Sequence, residues 1–144
     1  MRTIEQIDQD LCWERAALRA AREVEESADI ANDEPRYDAA HARTLYHCEK
    51  IDALALERSR ARYASLCATV ERGAFSSRFQ VVQDGAYYSI LDTREGTEAR
   101  YGLAFGTLAE ATAKEMNHFS HQREQAERYR FNFNATNRAM RPTV

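Results

Sequence analysis

Glycine is scarce, proline scarcer and lysine nearly missing: the 144 residues include 5 Gly, 2 Pro and 2 Lys. The five glycines, Gly73, Gly85, Gly96, Gly102 and Gly106, all lie between positions 73 and 106. Glycine marks turns, bulges and helix ends. Its absence from the first 72 and the last 38 residues therefore predicts a helical front, a turn-rich middle and a helical back. No apolar run approaches the ~18 residues of a membrane span. The opening Met-Arg-Thr-Ile-Glu-Gln-Ile-Asp carries charge where a secretory signal needs an apolar stretch. A cytoplasmic protein with no membrane partner is expected. The three cysteines, Cys12, Cys48 and Cys67, are odd in number and form no C-x-x-C. That argues against a disulfide framework, and the expectation is three small buried hydrophobes in helices.

An excess of positive charge is also missing. The net charge is −3, which excludes a strongly basic nucleic-acid binder and an electrostatic membrane binder. The 18 arginines against 2 lysines suit a GC-rich coding composition, although arginine also favours bidentate recognition. Leu, Ile, Val and Phe total 25 residues, about 17% of the chain, while alanine alone supplies 24. The core should therefore be thin and alanine-rich, with closely packed helices.

Catalytic signatures are lacking as well. There is no G-x-S-x-G, no H-E-x-x-H, and neither G-x-x-x-x-G-K-[ST] nor G-x-G-x-x-G. Glu115, His118 and His121 lie along one helical face, but a di-iron bundle needs a second E-x-x-H and two further glutamates. His41 and Cys48 share a face of the second helix without a four-ligand complement. The expectation is a protein that is not an enzyme and has no catalytic residue, cofactor, metal or small-molecule substrate.

What is present is periodicity. Thr3-Ile4-Glu5-Gln6 fits a capping box. Ile4, Ile7, Leu11, Leu18, Ala21, Val24, Ala28 and Ala31 then form one stripe of a helix over about 3–31. Asn32-Asp33-Glu34-Pro35 breaks it. A second helix is expected over about 36–72, stopping at Gly73, with the stripe Tyr37, Ala40, Leu45, Cys48, Ile51, Ala55, Ser59, Tyr63, Leu66 and Val70, broadened by Leu54 and Leu56. The short connection makes the pair an antiparallel hairpin. Strands follow at 79–83, 86–91 and 99–105, the first two joined at Asp84-Gly85. Thr107-Leu108-Ala109-Glu110 matches a second capping box and opens a helix of about 108–128, packed through Leu108, Ala111, Met116 and Phe119. The fold class is thus α+β: a long N-terminal antiparallel helical hairpin (1–72), a three-stranded antiparallel meander with a covering C-terminal helix (75–128), and a basic-aromatic tail (129–144), all in one domain. Arg128, Arg130, Arg138 and Arg141 belong to a 128–144 segment without an acid.

Within this layout, Ala104-Phe105-Gly106-Thr107 and Glu110-Ala111 match part of a G-x-F-x-T-x-E-E-A-like join between a last strand and a helix. On those residues the stretch from Tyr87 to Phe119 resembles the strand-strand-strand-helix DNA-binding module of plant ethylene-response factors and phage integrase arm-binding domains. The likeness covers under a quarter of the chain. That module's arginine- and tryptophan-rich sheet face is largely missing, since Trp13 is the only tryptophan. The resemblance implies DNA contact through the sheet.

Charge placement completes the functional expectation. Residues 1–38 carry 11 acids and 5 arginines, whereas residues 39–144 have a net charge of +3. The leading expectation is a small protein-interaction factor, an inhibitor carried by a phage or plasmid and comparable in class to anti-CRISPR proteins. It would bind a protein or nucleoprotein complex that handles nucleic acid, presenting Glu5, Asp8, Asp10, Glu14, Glu23, Glu25 and Glu26 in imitation of phosphate charge. The alternative is direct nucleic-acid binding, with Arg94, Arg100, Arg128 and Arg130 on phosphates and Tyr87 or Tyr101 stacked on bases. A homodimer joining the acidic first helix of one copy to the basic tail of another is compatible with either.

Overall fold

The computed structural model describes residues 2–68, 70 and 77–139, the last seven of these by backbone alone. The element order is α1 (Ile4–Ile30), α2 (Glu34–Cys67), β1 (Phe79–Asp84), β2 (Tyr87–Asp92), β3 (Thr97–Leu103) and α3 (Gly106–Ala139). This is the expected α+β layout. The chain divides into two compact units. Residues 1–69 with 96–98 form one, and residues 70–95 with 99–144 form the other.

In the first unit, Thr3 caps α1 through a complete capping box. Its hydroxyl accepts from Gln6 N, and the Gln6 side chain accepts from Thr3 N. Asn32 adopts a left-handed φ of 53°, and the Asp33 carboxylate accepts from Arg36 N, starting α2 with Pro35 inside its first turn. Three linking residues leave the helices no choice but to run antiparallel. Pairs of falling and rising number confirm it: Glu25 meets His41 and Thr44, Glu14 meets His47, and Asp8 meets Arg58.

Most of the expected stripe is covered, with departures on α2. On α1 the covered positions include Ile4, Ile7, Leu11, Glu14, Leu18, Ala21, Glu25 and Ala28, an alternation of three and four residues, with Asp10, Ala17 and Val24 half-buried beside them. On α2 they include Tyr37, Ala40, Thr44, His47, Ile51, Leu54, Arg58 and Ala61 in the same alternation, with Cys48, Glu57, Ser59, Arg62 and Tyr63 half-buried beside them and Leu66 buried further on. This is heptad spacing, which keeps one stripe facing a partner helix over many turns. Leu45, Ala55 and Leu56 are exposed; polar Thr44 takes the place that an apolar pattern assigns to Leu45, and His47 shares the seam with half-buried Cys48. The apolar centre is small: Ile7, Leu11 and Leu54, with Ile51 and Ala61 packed against them. Cys12 is exposed rather than buried, because its neighbour Leu11 holds the seam; all three cysteines are free. Ala31, expected on the α1 stripe, is also exposed beyond the helix end. α2 ends at Cys67 with right-handed backbone at Ala68, and Gly73 lies outside the described residues. Glu98 belongs to this unit. Its carboxylate is 2% exposed and lies 3.4 Å from Arg62, while Ser59 Oγ donates to its carbonyl.

In the second unit the sheet order is β1-β2-β3. β1 and β2 pair antiparallel from Phe79↔Asp92 to Asp84↔Tyr87, leaving Gly85 and Ala86 as the two-residue turn. The left-handed φ of 59° at Gly85, with none at Ala86, is the pattern that places glycine first in such a turn. Ser89, Ile90, Leu91 and Asp92 are all buried, so β2 is covered on both faces.

Two polar clusters lock this unit. Arg78 donates from Nε and Nη2 to the two Asp92 oxygens, each at 3.0 Å, and from Nη1 to Ser120 Oγ on α3. Asn117 of α3 then treats Phe79 as a neighbouring strand would: its Oδ1 accepts from Phe79 N at 2.9 Å, and its Nδ2 donates to Phe79 O at 3.0 Å. That satisfies the outer edge of β1 at its first residue.

α3 is longer than expected and starts earlier. Ala109 N donates to Phe105 O, so Thr107 lies inside the first turn and cannot be the N-cap. A side chain on Gly106 would meet the Tyr88 ring at 3.2 Å, which explains the glycine there. The covering residues are Ala109 and Ala113, with half-buried Met116, Asn117 and Ser120; Leu108, Ala111 and Phe119 face solvent instead. Small residues let the helix axis approach the sheet, and the bulkier ones fall on the opposite side. The helix does not stop near 128. It continues to Ala139, a length of about 50 Å at 1.5 Å per residue. The expected separate tail is, over 129–139, the end of α3; residues 140–144, including Arg141, lie outside the described residues.

Candidate functional site

The acidic residues of α1 divide sharply by environment. Glu14 and Glu25 occupy seam positions where apolar residues would normally sit. The Glu14 carboxylate is 19% exposed, 2.6 Å from His47 Nδ1 and 3.6 Å from Lys50 Nζ. The hydrogen bond from His47 holds the Glu14 carboxyl below its ordinary range, against the opposing effect of desolvation. Lys50 lies over the Tyr46 ring, and its hydrogen bond to Tyr46 raises its pKa, assisted by Glu14. Glu25 accepts from Thr44 Oγ1 at 2.8 Å and lies 3.3 Å from His41 Nδ1. The Thr44 bond is the main cause of its lowered pKa, while the Glu25 charge in turn raises Tyr37, whose ring lies parallel to that of His41.

Asp8 pairs with Arg58, and Asp10 shares Arg2 with Glu57. The hydrogen bonds of Glu57 raise the Arg2 pKa, and Arg2 lowers that of Glu57. Of the seven carboxylates expected to imitate phosphate, Glu14 and Glu25 are engaged in the seam, while Asp8 and Asp10, about half exposed, pair with arginines at its edge. Glu5, Glu23 and Glu26 are exposed. Exposed Arg15, Arg19 and Arg22 interrupt the interval between Glu5 and Glu23, so the outer side of α1 carries mixed charge.

The residues of the nucleic-acid alternative fall in the second unit. Tyr87, Arg100 and Tyr101 are exposed on β2 and β3. Arg94 is tied to Glu124 of α3 by an ion pair. Arg128 and Arg130 lie on α3 beyond its contact with the sheet. Among the described residues, no hydrogen bond, ion pair or ring contact links Tyr87 or Tyr101 to these arginines.

Below the sheet, burial pushes the Asp92 carboxyl up. Hydrogen bonds from Arg78 and the N–H groups of Glu95 and Arg94 more than offset this, leaving the carboxyl below its usual range. Asp92 and Arg78 are thereby a structural clamp, with both carboxylate oxygens engaged. Glu115, His118 and His121 are exposed on α3, and His121 pairs with Gln125. No group of three or more His, Cys, Asp or Glu among the described residues is arranged to hold a metal ion.

Three surface features had no counterpart in the sequence patterns. One is a groove of about 450 Å³ in the hairpin, lined by Ile7, Ala53, Leu56, Ala61 and Ala64 with Arg2, Glu57 and Arg60. Another lies beside the clamp, about 590 Å³, with Phe79, Met116, Phe119 and Arg123 in its wall. The third is the uncovered length of α3. Beyond Glu124, which Arg94 holds, Glu127, Arg128, Phe131 and Asn132 line one side of it, continuing the stripe that packs on the sheet. Every residue from Gln125 to Asn132 is exposed.

No protein-family model, curated protein or solved structure matches this chain. No helix among the described residues is long and apolar enough to cross a membrane.

Proposed function

We propose that this protein is a non-catalytic interaction factor. It acts as an inhibitor or accessory of a complex that handles nucleic acid, of the kind carried by mobile genetic elements. Its contact element is the uncovered half of α3. One observation carries this reading: the helical stripe that packs on the sheet continues for two turns with none of the described residues over it, and there Phe131 is 74% exposed. An isolated helix gains little stability from propensity alone; packing of one face supplies most of it. A long helix with its stripe uncovered is therefore suited to receive a protein partner, with Phe131 as the apolar anchor and Arg128 and Arg130 at its rim. Of the carboxylates expected to imitate phosphate, Glu5, Glu23 and Glu26, with the half-exposed Asp8 and Asp10, are accessible to a basic partner.

A second reading is direct nucleic-acid binding. The neighbouring exposed Arg100 and Tyr101 on β3 favour it, with Tyr87, Arg128 and Arg130 as further contacts. One experiment separates the two. The tagged full chain and its Phe131→Glu variant are used to capture partners from source cells, with and without nuclease. A stoichiometric protein that survives nuclease and is lost with Phe131→Glu supports the interaction reading. Recovery that collapses with nuclease and is unaffected by Phe131→Glu, but is lost with Tyr101→Ala, overturns it in favour of nucleic acid.

A further inference from the structure

We propose that the hairpin groove binds a single-chain amphiphile with one carboxylate head, a fatty-acid-like monoanion taken up as a monomer. This does not depend on the role of α3. The groove's volume of about 450 Å³ falls within the roughly 300–1,000 Å³ of small-molecule pockets. Its floor is apolar: Ile7 from α1, and Ala53, Leu56, Ala61 and Ala64 from α2. The alanines are what opens it, because a larger side chain at any of them would fill the space. From Ala53 to Ala64 the floor extends about 16 Å along α2 at 1.5 Å per residue. A straight alkyl chain of dodecyl length matches that distance, whereas a compact polar metabolite would leave the floor wet.

Charge selects the head group. Two arginines line the groove. Arg2 is already held by Asp10 and Glu57. Arg60 makes no ion pair or hydrogen bond among the described residues. Its aliphatic stem can lie along the apolar wall while the guanidinium meets a carboxylate at the rim. A cationic amphiphile would instead be repelled by the exposed Arg60 guanidinium, and a neutral one would gain no charge-assisted bond from it.

The test uses the full chain with dodecanoate below its micelle concentration, followed by calorimetry and by the methyl resonances of Ala53, Ala61 and Ala64. One dodecanoate per chain is expected, shifting those methyls. Arg60→Gln should weaken dodecanoate by about tenfold, the loss of one charge-assisted hydrogen bond, and leave dodecanol unchanged. Ala53→Trp fills the groove from an exposed position and should abolish binding with the helical signal intact; Ala64→Phe serves the same purpose should the first variant misfold. Absence of saturable binding, or binding that survives both filling variants, overturns the proposal. So does an equal effect of Arg60→Gln on dodecanoate and dodecanol. Two further results reassign the groove and also overturn it: a dimer in light scattering that Ala53→Trp dissociates, and sedimentation with anionic phosphatidylglycerol vesicles that Ala53→Trp abolishes.

Discussion

Leu11 and Leu45 look equally apolar in the sequence, and the hairpin seam makes opposite demands on them. Leu11 is 3% exposed at the centre of the cluster with Ile7 and Leu54; Leu45 is 54% exposed on the outer side of α2. Truncating a buried leucine to alanine loses its transfer free energy and adds a cavity term, about 2–5 kcal/mol in all. The seam is only two helices thick, so the helices can close partly over the gap. The cost of Leu11→Ala should accordingly fall in the lower part of that range, about 2–3 kcal/mol. Leu45→Ala removes little buried surface and should stay within about 0.5 kcal/mol. Because the chain has two compact units, a single global transition is a poor readout. Amide hydrogen exchange across α1 and α2 reports the opening of the hairpin itself. Leu11→Ala should lower protection throughout both helices, while the amides of β2 keep theirs. If Leu45→Ala costs as much as Leu11→Ala, the heptad assignment is wrong and the apolar-stripe pattern holds instead.

Three other outcomes are expected. Glu14 and Glu25 have folded pKa values below the ordinary 4.5, so their contribution is present above that value and is lost as pH falls below it through the folded values; hairpin amide protection should drop on acidification from neutral through 4.5, and less steeply in the Glu14→Gln/Glu25→Gln double variant. Asp92→Asn leaves the half-buried Arg78 guanidinium without its carboxylate and should cost about 2–3 kcal/mol, measured as lost protection in β1 and β2; an unchanged exchange pattern would deny the clamp its role. Asn117→Leu removes two hydrogen bonds to Phe79 and bares the edge of β1, so it should cost about 2 kcal/mol and promote self-association in light scattering, while Phe131→Glu on the same helix leaves stability unchanged.

Much of the architecture is legible in the amino-acid sequence. Local chemistry is why. The Thr3–Gln6 box, the turn at Asn32–Asp33 and the glycine at 85 each act over a few residues and need no distant partner. The order of helices and strands follows from them. The pattern misplaces the start of α3 for a local reason too: Thr107-x-x-Glu110 imitates a cap. Neighbouring Gly106 is already the first helical residue and lies against the Tyr88 ring, a contact the pattern does not contain.

The functional surfaces are less legible. A carboxylate on an amphipathic helix looks like solvent-facing charge, yet Glu14 and Glu25 face the seam because His47 and Thr44 arrive opposite them from α2. Without that encounter, their pairing and their unavailability to a basic partner are invisible. Likewise Arg78, Asp92 and Asn117 are ordinary polar residues in the sequence, separated by 14 and 38 or more positions from the groups they bind.

By itself, then, the amino-acid sequence determined the order and kind of the elements and their starts to within about two residues, because capping, glycine placement and hydrophobic period are properties of short stretches of chain. Only the tertiary structure decided which polar residues enter the seam between α1 and α2, how their carboxylates are paired, that a groove opens beside Arg60, and that α3 outruns the sheet it covers. Those outcomes depend on which side chain stands opposite which. That depends on the axial register of two helices and on how far a third extends past its support, and neither quantity is set by any one segment alone.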